Sequence, residues 1–164
     1  MLNLKTISAA LLLGAFALAS CDKEDDKKVT PAKQYSPEFS AKVNDTLWVA
    51  QGGSALKPRS NTGGLFSLQA SDGAGKTIRL QSGGNRIKGV GTYTEVVGQF
   101  QYDKNVMDSD LYTSDFGGSC ELIITKYDTV EHRISGTFNF SAPGYLNPAH
   151  KEVTEGKFKD ILFQ

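Results

Sequence analysis

From residue 38 onward, apolar and polar side chains alternate in short runs, and glycine, asparagine or aspartate separates one run from the next. Residues 38–44 set Phe39, Ala41 and Val43 against Ser40 and Lys42, a period of two that predicts a half-buried strand. Asn44 and Asp45 tolerate positive φ, so the chain is expected to reverse there into a second strand over 46–51, where Leu47, Trp48 and Val49 are consecutive apolar residues. Residues 65–71 alternate Phe66, Leu68 and Ala70 with Ser67 and Gln69, Asp72-Gly73-Ala74-Gly75 forms a turn, and 76–82 alternates Ile78 and Leu80 with Thr77, Arg79 and Gln81. This is the clearest hairpin in the chain. Residues 87–94 and 96–102 are also read as strands, with Gly98, Phe100 and Tyr102 sharing a side.

The carboxyl third alternates more regularly. Residues 119–127 place Cys120, Leu122 and Ile124 on one face and Glu121, Ile123 and Thr125 on the other; residues 133–141 do the same with Ile134, Gly136, Phe138 and Phe140. A turn over 127–131 joins them. The last segment, 151–163, slips in parity between Val153 and Phe158, which predicts a bulge near Gly156. Seventeen glycines against five prolines, with Gly-Gly pairs at 52, 63, 83 and 117, supply turns for short strands. The expectation is a single all-β domain of eight or nine antiparallel strands, folded as a flattened barrel or a two-sheet sandwich.

Before that domain the pattern changes. Lys5 is the only charge in the first twenty residues, and 7–19 is apolar apart from Ser8 and Gly14. A bilayer crossing needs about 20 apolar residues, so a cleaved signal peptide fits better. The run Leu18-Ala19-Ser20-Cys21 reads as a lipobox, in which the Cys21 thiol takes a diacylglyceryl group and becomes the first residue after cleavage. Residues 22–35 carry four acids, four lysines, Pro31 and little apolar surface, the composition of a solvated spacer. The expected organisation is a signal peptide over 1–20, a lipidated cysteine with a flexible charged tether over 21–36, and the β domain over 37–164. The formal charge of the chain is zero, which gives no basic field for nucleic acid. The expected partner is a membrane, through the anchor at Cys21, at the outer membrane. Acids directly after that cysteine resemble the export signal of Bacteroidota lipoproteins exposed on the cell surface; a periplasm-facing domain is the alternative.

Four stretches carry a family resemblance: Leu111-Tyr112-Thr113-Ser114-Asp115, Ile123-Ile124-Thr125-Lys126-Tyr127-Asp128, Ile134-Ser135-Gly136-Thr137-Phe138-Asn139-Phe140 and Val153-Thr154-Glu155-Gly156-Lys157-Phe158. Over residues 39–163 the chain resembles an uncharacterised family of Bacteroidota lipoprotein domains, a domain of unknown function. The resemblance implies a β domain and assigns no activity and no site residue.

Chemistry must then be read from single residues. With Cys21 acylated, Cys120 is the remaining thiol; with His132 and Asp128 it offers a nucleophile, a base and an orienting carboxylate. Its shared parity with Leu122 and Ile124 favours the core instead. Asp103, Asp108, Asp110 and Asp115 supply hard oxygen ligands for calcium within 103–118, without the spacing of a helix-loop-helix site. His132 and His150 lie too far apart in sequence to mark a zinc site. Tyr102, Met107, Leu111, Tyr112 and Phe116 put unusual apolar surface into the same connection, either capping the open end of the barrel or lining a pocket mouth. Tyr102, Tyr112, Phe116 and Tyr145 are the candidate ligand-binding residues; Trp48 is expected in the core and Tyr145 at the surface. No paired-carboxylate, nucleophile-elbow or cofactor motif occurs, and no cofactor is expected. The reading is a non-catalytic binding module on the outer membrane that takes a glycan, peptide, lipid or partner protein, its small ligand or envelope partner left open. The alternatives are a structural subunit that meets an envelope protein and, ranked last, a hydrolase.

Overall fold

The computed structural model describes residues 36–56, 65–83, 87–102 and 110–163. They form two antiparallel sheets over one core. The strands are β1 (Glu38–Val43), β2 (Thr46–Val49), β3 (Gly52–Leu56), β4 (Leu65–Ser71), β5 (Lys76–Gly83), β6 (Gly91–Tyr93), β7 (Val97–Tyr102), β8 (Asp110–Thr113), β9 (Ser119–Asp128), β10 (Arg133–Pro143) and β11 (His150–Leu162). One sheet has the order β2-β1-β11-β10-β9-β6 and the other β3-β4-β5-β7-β8. Of the two expected architectures, the sandwich is the one formed. The eleven strands of the described residues include β3 and β8, which the alternation does not predict; the connection over 103–118 holds β8 and a 3-10 turn, Ser114–Phe116.

Turn chemistry explains the hairpins. Asn44 and Asp45 both adopt positive φ, 46° and 64°, the geometry a two-residue hairpin loop requires. Between β4 and β5, the Asp72 carboxylate accepts from the backbone N–H of Ala74 at 2.9 Å and of Lys76 at 3.0 Å. Between β9 and β10, the Asp128 carboxylate does the same for Val130 and Glu131. In each case a side chain replaces the backbone partner that the turn lacks.

β11 lies between β1 and β10 and carries two bulges. Against β10, Phe138 faces Gly156 while Phe140 faces Val153, and Ile134 faces Ile161 while Gly136 faces Phe158. Each shift adds one residue to β11. The non-glycine residues with positive φ on this strand are Glu155 at 51° and Asp160 at 49°. The first bulge lies where the parity slip placed it. The second, between Phe158 and Ile161, follows from the same kind of slip. Both are braced: Lys42 pairs with Glu155 at 2.6 Å, Lys126 with Asp160 at 3.0 Å, and the Ser135 hydroxyl accepts from the Asp160 N–H at 2.9 Å.

The core joins the two inner faces. Phe39, Leu122, Ile124, Phe138, Phe140 and Phe158 of the six-stranded sheet meet Phe66, Leu68, Ile78, Leu80 and Phe100 of the other, all buried. Phe140 packs directly on Gly98, where a Cβ would overlap its ring. The Gly98 N–H donates to the buried Ser114 hydroxyl at 3.0 Å, which holds β7 against the 3-10 turn. Trp48 is buried and packs edge-on to Phe39, with ring centroids 5.9 Å apart.

Gly136 is the tightest point in the middle of the six-stranded sheet, since a Cβ there would overlap the Ile123 carbonyl oxygen and come within 2.6 Å of the Phe158 ring. Gly136→Ala is expected to lower unfolding free energy by about 1–3 kcal/mol, the usual cost of overpacking. Gly89→Ala, where a Cβ meets nothing within 4 Å, should leave stability within about 0.5 kcal/mol. Urea denaturation of both variants checks the pair, and equal midpoints would refute the packing argument.

Candidate functional site

At one end of the sandwich the inward-facing positions stop being apolar. Across β5, β7 and β8 the register aligns Lys76, Tyr102 and Asp110 in one row and Ile78, Phe100 and Tyr112 in the next. The inner row is buried core. The outer row is lysine, tyrosine and aspartate. On the opposing sheet Lys151 pairs with Ala142, one inward step beyond the Val153–Phe140 pair. Each lysine occupies a position whose phase on its strand is apolar: Lys76 with Ile78 and Leu80, Lys151 with Val153. Between the two sheets Lys76, Phe100, Tyr102, Asp110, Tyr112 and Lys151, with Trp48, line a cleft of about 310 Å³.

Its wall is aromatic and its charges are positioned without being neutralised. The Lys151 ammonium stands 5.1 Å from the Tyr112 ring centre and the Lys76 ammonium 5.8 Å from that of Tyr102, both within cation–π range. Among the described residues neither ammonium has an ion-pair partner. Asp110 accepts a long 3.5 Å bond from the Asn147 amide. Trp48 is 5% exposed, and its indole N–H is buried with no hydrogen-bond partner among the described residues. Asn44, also on the lining, ties the β1–β2 turn to β11. Its side-chain oxygen accepts from the Glu152 N–H at 2.8 Å, and its own N–H donates to the Glu152 carbonyl at 2.9 Å.

The four candidate ligand-binding residues fall in two places. Tyr102 and Tyr112 line the cleft, Tyr102 half-buried on β7 and Tyr112 buried on β8. Phe116 and Tyr145 do not line it; they pair with each other, ring centres 5.2 Å apart, and are 57% and 53% exposed. The sequence reading missed Lys76, Lys151 and Asp110 as partners of the tyrosines in one cleft. A signal for both lysines was present: a charge at the inward phase of an otherwise apolar alternation.

Of the calcium candidates, Asp103 and Asp108 lie outside the described residues, Asp110 opens β8, and Asp115 sits in the 3-10 turn beyond its other end. Among the described residues no three histidine, cysteine or carboxylate side chains converge as a metal site. Cys21 and the tether as far as residue 35 also lie outside the described residues. Among those described, no helix is long and apolar enough to cross a membrane.

Cys120, the second residue of β9, pairs with Phe140, whereas Asp128 ends the same strand and pairs with Arg133, beside His132. Eight residues of strand separate them, on the order of 26 Å, so the thiol does not meet that imidazole or carboxylate. The fold instead brings Ser141, His150 and Glu152 together at the surface, with the Ser141 hydroxyl and the Glu152 carboxylate each 2.8 Å from His150 Nε2. Both contacts end on one ring nitrogen. A hydrolytic triad uses the two nitrogens separately, one toward the nucleophile and one toward the carboxylate.

The family model described as Domain of unknown function (DUF6252) matches residues 35–162, and the chain belongs to that family. No curated protein and no solved structure matches the chain.

Burial, with a smaller contribution from the charge of Glu121, pushes the Cys120 thiol up to about 12 from its ordinary value of 9.0. The folded state therefore favours the neutral thiol. That contribution to stability is complete below about pH 9 and is lost as pH rises from there toward about 12. In a Cys21→Ala background, where Cys120 is the only thiol, a thiol reagent at pH 8 should label native protein far more slowly than urea-unfolded protein. Cys120→Ala should remove part of the alkaline loss of stability. Equal labelling rates in the two states would contradict a core role.

Proposed function

We propose that this member of the DUF6252 family is a lipoprotein of the Bacteroidota cell envelope, acylated at Cys21 of its lipobox and held at the outer membrane, with a β-sandwich that acts as a non-catalytic binding module. The cleft between β2, β5, β7, β8 and β11 is the observation that carries the binding reading. It combines concavity, an aromatic wall and a few convergent polar groups, the usual make-up of a small-ligand site. Residues 18–21 and the charged stretch after them support the anchor: two acyl chains hold a domain on a membrane without a spanning helix.

A second reading, an assembly subunit of an envelope complex, is favoured by a different surface. Phe116 and Tyr145 meet at a 40° tilt with both rings exposed, and Leu146, next to Tyr145 in the chain, is 87% exposed. An apolar cluster of this kind is a common protein contact.

Palmitate labelling of cells that express the wild-type chain and Cys21→Ala tests the anchor; label is expected on the first alone, and label on the variant would overturn it. Arrays of glycans and small metabolites, probed with full-length protein and with Tyr102→Ala, test the binding module. Ligands retained by wild type and lost on Tyr102→Ala are the expected result. Ligands held equally by both proteins would remove the cleft as the site, and an empty array with a stoichiometric partner lost on Tyr145→Ala would establish the second reading.

A further inference from the structure

We infer that the cleft takes a small organic anion, a carboxylate carried on a six-membered ring, with Lys76 and Lys151 meeting the carboxylate. This rests on the cleft being a binding site and specifies its ligand. The charge balance sets the sign. Among the described residues, two ammonium groups and one carboxylate, Asp110, line a volume of about 310 Å³, and two like charges on one small concavity repel each other unless an anion lies near both. The tyrosine faces hold the ammonium groups in place but leave their formal charge intact.

Hydrogen-bonding capacity agrees. Lys76 and Lys151, both on the lining, are donors only. Asp110 is an acceptor whose one bond there is the 3.5 Å contact from Asn147. A carboxylate presents acceptors to this donor-rich lining, and a ring hydroxyl, where there is one, donates to Asp110. The volume is near the lower end of ligand pockets, about 300–1,000 Å³, which limits the ligand to about one ring. Phe100, Tyr102 and Leu47 give that ring an apolar surface to lie against.

Two sources share this chemistry, a hydroxylated sugar acid and an aromatic acid. Trp48 is the only tryptophan of the chain and lines the cleft, so its fluorescence reports occupancy directly. Purified full-length protein is titrated with glucuronate, benzoate, glucose and inorganic sulfate. A saturable change with glucuronate or with benzoate is expected, weakened at least tenfold by Lys76→Met with Lys151→Met and weakened by salt. These substitutions keep the aliphatic stems and remove the charges. If the double variant does not fold, the salt dependence of the wild-type protein decides the point.

Glucuronate without benzoate identifies a sugar acid; the reverse identifies an aromatic acid. Glucose binding as well as glucuronate overturns the anion and leaves the cleft as a binding site. Sulfate matching both acids overturns the ring. No change with any of the four overturns the inference, and the array with Tyr102→Ala then judges the binding module separately.

Discussion

β11 must keep its apolar side chains inward over thirteen residues while pairing on both sides, with β1 and with β10. A strand has a side-chain period of two, but Val153, Phe158 and Ile161 do not share one parity. An unbroken strand would turn part of this set to solvent. Two inserted residues resolve the conflict, and both are acids held in the left-handed region. For non-glycine residues that conformation costs roughly 1–3 kcal/mol each. It persists because the Phe39, Phe138 and Phe158 rings pack on one another inside, at 5.3 Å to 6.4 Å between centres, and because lysines and a serine brace the bulges outside.

The hairpins were legible because their information is local. Asn44-Asp45, the Asp72 to Gly75 turn and Asp128 each lie between two alternating runs, and each makes the turn it encodes. What joins distant segments was not legible. β1 pairs with β11 across more than a hundred residues, and β6 leaves its sequence neighbours β5 and β7 to pair with β9. Alternation says which face of a strand is apolar but not which strand lies beside it. β3 and β8 escaped for another reason. β3 opens on two glycines, and the four residues of β8 include one polar end and one threonine, too short a run for a period to register.

The candidate site was half legible in the same way. Aromatic content singled out Tyr102 and Tyr112, and the register of β7 against β8 places them on one inner face, a step apart. Phe116 and Tyr145 came from the same composition argument, yet they sit on a separate exposed patch. The lysines were passed over because a lysine at a strand end is normally read as solvated. Their significance lies in phase, since each continues the inward series of its own strand, and only the stacking of the two sheets sets both on one cleft.

The bulge at Glu155 therefore bears on the cleft as well as on the core. It keeps Val153 and Phe158 inward together, and because Lys151 is two residues before Val153, the same insertion turns Lys151 toward the opposing sheet. Lys42, one residue before Val43 on the cleft wall, holds Glu155 from β1; Asn44, two residues further on, holds Glu152. Two contacts, one and four residues from Lys151, thus set the phase of β11 and the seat of its ammonium group. A sandwich needs only apolar residues to close its end. Here the strand that carries the core's main irregularity also presents a cation at the mouth, and a binding surface follows from solving a packing problem.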